Sequence, residues 1–148
     1  MNDSLITFTG WVGSQVELTH VGEGDGVPVA TFRVGSTPRR LRDGRWENGE
    51  TIWYAVKAWR SLATHLAASV RSGEPVLVTG RFVAESWQKE DGTPVTRHVV
   101  VAQSVGHDLT RGTSTFTRAV AGSTVSAATG EESTPGPLAS ADPVDSAA

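Results

Sequence analysis

Trp53, Ala55, Lys57 and Trp59 alternate with Tyr54, Val56 and Ala58 along a run dense in Trp, Tyr and Val, Thr51 to Trp59. In an extended chain the first set shares one face and the second set the other. A face that places a lysine between two indoles is a poor core. Indole rings stack on other flat rings and an ammonium attracts anions, so the combination suits a nucleobase with its phosphate. Trp87, close to Lys89 and a turn, offers a third stacking surface. Arg33, Arg39, Arg40, Arg42 and Arg45 fall within 13 residues that hold a single acid, Asp43. A guanidinium both forks onto phosphate and stacks on bases, which lysine cannot do. Trp46 follows these arginines and either stacks on a base or merely anchors their loop. Indoles also fill cores and pair across hairpins, so five tryptophans against one methionine do not by themselves prove a binding face. Trp11, in step with Thr7 and Thr9, reads as a surface or subunit-packing residue.

Bond-making chemistry finds no comparable support. His20, His65, His98 and His107 are scattered over separate elements, with no i, i+4 pair and no HExxH pattern. The chain contains no cysteine, which excludes thiolate catalysis, disulfides, iron–sulfur clusters and most structural zinc sites. Gly22, Gly24 and Gly26 faintly resemble a dinucleotide loop, but they precede no helix, which that mechanism requires. Asn2-Asp3-Ser4 is a formal glycosylation sequon that matters only in a secreted chain. Neither an enzyme, a metal centre nor a cofactor is expected.

The formal net charge of −3 argues at first against a polyanionic ligand. The average is misleading. Residues 1–112 hold 12 Lys and Arg against 12 Asp and Glu, whereas residues 113–148 hold Arg118 alone against Glu131, Glu132, Asp142 and Asp145. The acidity belongs to the C-terminal part, and the arginine cluster survives as a local basic stripe. No run approaches the ~18 apolar residues of a membrane span. The start has no signal-peptide pattern, so a cytoplasmic, nucleoid-associated protein is expected.

The elements that must carry these groups are mostly strands. Ile6, Phe8, Gly10 and Val12 alternate with Leu5, Thr7, Thr9 and Trp11, and Val16 and Leu18 continue past Gly13, which reads as a long first strand bent at glycine. A glycine-rich turn, Gly22 to Gly26, leads into a second strand, Val27 to Gly35. Ser36 to Glu50 is a long exposed loop, hairpin-like in part, with turn signals at Pro38, Asp43-Gly44 and Asn48-Gly49. The third strand, Thr51 to Trp59, runs into a helix, Ser61 to Val70, with Ser61 as cap and Leu62, Leu66 and Val70 on its buried face. Pro75 to Trp87 and Val95 to Ser104 form the fourth and fifth strands around the Glu90-Asp91-Gly92 turn. Three strands, a helix and two strands match the five-stranded, partly open Greek-key barrel called the OB-fold, a binder of oligonucleotides or oligosaccharides. The domain is expected over residues 1–112, with some β character over 113–121. Residues 122–148, rich in Ser, Thr, Ala, Gly and Pro, are expected to be disordered.

Several of these runs stand in a recognisable order: Ile6-Thr7-Phe8-Thr9-Gly10, Val29 to Val34, Thr51 to Val56, the passage from Trp59 to Leu66, Gly73 to Phe82, and Trp87 before Asp91-Gly92. Together they resemble bacterial single-stranded DNA-binding protein over roughly Leu5 to Val105. The resemblance implies an OB-fold homotetramer that coats single-stranded DNA in replication, recombination and repair. By position it implies base stacking by Trp53, Trp59 and Trp87, a tetramer-interface place for Tyr54, and, over 113–121 with Phe116, the extra strand by which actinobacterial members clamp neighbouring subunits. A further family aromatic falls near Arg39 and Arg40, where stacking would pass to guanidinium. The family's acidic tip has a poor counterpart in Ala141 to Ala148, so recruitment of repair enzymes through it is not expected, and a specialised paralogue fits. Two other uses of such a barrel remain open on the residues alone, a protein-assembly module and an RNA binder.

Overall fold

The computed structural model describes residues 2–120. β1 (Ser4–Val12) turns Ile6, Phe8 and Val12 inward and Thr7, Thr9 and Trp11 outward, the period-2 pattern of a strand with one packed face. β2 (Glu17–Val21) continues it past Gly13, and β3 (Val27–Ser36) returns antiparallel beside β2 after a turn in which Gly22, Gly24 and Gly26 all have positive φ. β6 (Ile52–Trp59) lies antiparallel to β3, and the last two strands, β7 (Pro75–Gln88) and β8 (Pro94–His107), form a long hairpin. β7 pairs with β1, β8 pairs with β6 in a short parallel stretch, and β1 bends back onto β3 at Trp11 and Val12. That last contact closes the ring β1-β7-β8-β6-β3, a five-stranded OB-fold barrel with β2 attached at the side.

The expected loop between the second and third barrel strands is itself a ribbon. β4 (Arg39–Arg42) and β5 (Arg45–Asn48) pair as a separate two-stranded sheet. Asp43 and Gly44 turn it with positive φ of 51° and 75°, the geometry of a two-residue type I′ hairpin.

Val12, Ala30, Phe32, Val34, Val56, Ala58, Val76, Val78 and Val100 fill the barrel, and α1 (Ser61–Ser69) closes it with Ala63, Leu66 and the following Val70. Ser61 does not cap the helix. The Arg60 N–H donates to the Pro28 carbonyl at 2.8 Å, and Arg60, with φ of 59°, becomes the residue before the first turn, leaving Ser61 already helical. At the end of β8, His107 bridges Glu74 and the Ser114 hydroxyl through its two ring nitrogens.

The extra strand expected over 113–121 is not formed by this chain alone: residues 113–120 have no strand. A strand needs a neighbour for its N–H and C=O groups, and among the described residues no strand pairs with these. Residue 121 and the tail expected over 122–148 lie outside the described residues.

Candidate nucleic-acid interface

The strand registers gather most of the singled-out side chains on one outer surface. On β6, Trp53, Ala55, Lys57 and Trp59 point outward, while Val56 and Ala58 are buried in the barrel. Across from them on β3 stand Gly35, Arg33, Thr31 and Val29 in that order. β8 contributes Arg97 and Val99, and β7 contributes Glu85 and Trp87 through the pairs Glu85 with Arg97 and Trp87 with Val95. An open groove of about 370 Å³ runs over this surface, lined by Arg33, Lys57, Arg97, Thr31 and Ser14 with the buried Val99 beneath.

Trp53 owes its position to two residues that have no side chain. A Cβ on Gly13 would collide with the Trp53 ring, and one on Gly35 would come within 3.1 Å of it. The indole therefore lies across the backbone of the β1–β2 bend and of β3, and still keeps 52% of its surface exposed. The Arg33 guanidinium stands 4.9 Å from its ring centre. Gly13 thus does more than bend a strand. It provides the seat for Trp53.

The other tryptophans also have a cation nearby. Lys57 Nζ lies 5.9 Å from the Trp59 ring centre, Arg97 lies 5.3 Å from Trp87, Arg39 lies 5.8 Å from Trp46 and Arg111 lies 5.9 Å from Trp11. Such contacts contribute about 0.5–1 kcal/mol at exposed sites.

Lys57 is placed on the outer face as expected, but it is not a free cation. Its ammonium forms an ion pair with Glu85 Oε1, and Arg97 reaches Glu85 Oε2 at 3.3 Å. The hydrogen bond from Lys57, with help from Arg97, holds the Glu85 carboxyl below its ordinary range despite some burial. Glu85 and Arg97 were absent from the sequence reading. Folding the sequence about Asp91 would have found their pairing, since the turn is centred there: Lys89 N–H donates to the Thr93 carbonyl at 2.9 Å.

The arginine cluster divides between the two faces of its ribbon. Leu41 opposes Trp46 and Arg39 opposes Asn48 on one side, whereas Arg40, Arg42 and Arg45 share the other with Glu47. Trp46 is 63% exposed. The ribbon therefore presents an apolar and stacking side as well as a charged side. Tyr54 is half-buried and stacks on Phe8 with ring centres 4.0 Å apart, inside its own chain. Phe116 is exposed. Among the described residues no three His, Asp or Glu side chains are close enough together to hold a metal ion.

Barrel and surface together make an OB-fold module whose open outer face carries indole rings and basic side chains. The chain belongs to the single-strand binding protein family, whose profile matches residues 3–108. It is 34% identical over 122 residues to the single-stranded DNA-binding protein of Bifidobacterium longum, covering 81% of this chain and 55% of that one. It is 35% identical over 120 residues to single-stranded DNA-binding protein 2 of Streptomyces avermitilis, covering 80% of this chain and 73% of that one. Against the Corynebacterium glutamicum protein the share of the relative is 49%, so the chain spans about half the length of some relatives it matches. The crystal structure of a small single-stranded DNA-binding protein from Streptomyces coelicolor superposes with a TM-score of 0.63 at 33% identity, covering 76% of this chain and all of that one. SSBb from Mycobacterium smegmatis, at 23% identity and a TM-score of 0.59, shares the fold.

Proposed function

We propose that this chain binds single-stranded DNA without sequence preference and performs no bond chemistry on it. The observation that carries the reading is the common outer face on which Trp53, Trp59 and Trp87 lie open, each with a basic side chain beside its ring. Every base has a π face, so stacking tolerates any sequence, and each stack contributes about 1–3 kcal/mol. Arg33, Lys57 and Arg97 supply charge along the groove, and the ribbon bearing Arg39, Arg40, Arg42, Arg45 and Trp46 extends the basic surface. The names of the relatives favour DNA as the ligand.

The chain acts as a homotetramer in this reading, in replication, recombination or repair. Leu5, Trp11 and Leu77 stand exposed on the outer side of β1 and β7, a surface that a second copy would cover. Phe116 and the uncovered part of Tyr54 belong to the same self-association, and residues 113–120 gain a strand partner only from a neighbouring subunit. Titration with oligo-dT, read beside the mass in solution, tests both parts. Tryptophan fluorescence is quenched and the quenching weakens as salt is raised, because binding releases counterions from the phosphates. Absence of quenching at low salt refutes the reading.

A further inference from the structure

Glu85 is an acid held between two cations of this surface. Its two carboxylate oxygens are divided between two donors from different strands, Oε1 to the Lys57 ammonium on β6 and Oε2 to the Arg97 guanidinium on β8. Both partners line the groove, together with Arg33 on β3 and Glu17 on β2. The Lys57 side chain is only 17% exposed, and its ammonium is held against this carboxylate.

Resting on the reading that single-stranded DNA lies on this face, we propose that Glu85 is an internal competitor for the phosphate backbone. Its carboxylate occupies in the free protein the position that a phosphodiester takes in the complex. A carboxylate and the two non-bridging oxygens of a phosphodiester offer N–H donors the same paired anionic acceptors, which is why Arg and Lys recognise both. While Glu85 holds Lys57 and Arg97, a phosphate at this point must compete for their N–H groups and faces a like charge. Binding therefore exchanges one anion for another, and the strength of that exchange sets the affinity. Glu85 tunes the affinity, and Lys57 with Arg97 form the phosphate site that it guards.

The test is Glu85→Gln in the full chain, with Lys57→Gln, the double variant and Trp53→Ala beside it, each titrated with a short oligo-dT and checked by thermal melting. Glutamine keeps the length and one acceptor oxygen while removing the charge. Glu85→Gln is expected to bind about five- to tenfold more tightly at low salt, the direction expected from removing a nearby like charge. Lys57→Gln is expected to cost more affinity in the Glu85→Gln background than in the native chain, because the lysine no longer gives up a carboxylate to reach the phosphate. If Glu85→Gln binds equally or more weakly while Trp53→Ala weakens binding, the inference is overturned and the binding face stands. Glu85 would then merely hold Lys57 in position. If Trp53→Ala also leaves binding intact, the face itself is wrong and the inference falls with it.

Discussion

Gly13→Ala is a sharp test of how the binding face is assembled, because it alters no group proposed to touch DNA. The new Cβ would enter the space of the Trp53 ring. Carbon atoms pack at about 3.5–4.0 Å, so the indole must withdraw by roughly one ångström or swing off its seat. Gly13 is not among the positive-φ glycines, so alanine fits the backbone there, and a ring already half in water can move without opening the core. Stability should change little. A displaced ring forfeits its stack, worth about 1–3 kcal/mol, which corresponds to a loss of roughly 5- to 150-fold in affinity. Fluorescence titrations with oligo-dT at two salt concentrations measure it, with Trp53→Ala as reference. The two substitutions act on one interaction, so the double variant should bind no worse than Trp53→Ala alone. Gly13→Ala binding within twofold of the native chain, with Trp53→Ala clearly weaker, would refute the argument that the bend seats the tryptophan.

Two further outcomes follow from charge. Replacing Arg40, Arg42 and Arg45 with glutamine removes the charged side of the ribbon and leaves the stacking of Arg39 on Trp46; the slope of log affinity against log salt should fall by up to about 2, since each phosphate contact on a single strand contributes about 0.7. An unchanged slope would place the DNA away from the ribbon. The Glu85 carboxyl is held below its ordinary value, first by the hydrogen bond from Lys57, so its contribution to stability is present above the ordinary glutamate range and is lost as pH falls through the folded value. Thermal melts from neutral pH into acid should therefore show a melting temperature that is flat at first and then declines. Asp91, lowered by the Thr93 N–H, and Asp108, lowered by the Thr110 hydroxyl, act in the same direction. Glu85→Gln should decline less steeply, and an identical pH profile would show that the Lys57–Glu85 pair adds nothing to stability.

Periodicity alone determined the barrel strands and most of their inward faces, because a strand with one packed side repeats every second residue whatever its partners are. It also placed Trp53, Lys57 and Trp59 together on the outer face, for the same reason. The glycine-rich and Asp-Gly turns announced the hairpins, since few other residues accept positive φ. Ser61 shows where local reading fails: it is a good cap by type, but the bond from Arg60 to Pro28 starts the helix one residue earlier. The arginine loop reads as only partly hairpin-like because four-residue strands are too short to display a period, and pairing revealed it as a two-faced ribbon. Tertiary structure alone decided that Gly13 and Gly35 carry Trp53, and that Glu85 reaches across to Lys57. These partners lie on elements far apart in sequence that the sheet order brings side by side. Which cations on the face already hold an anion is therefore a property of the assembled sheet.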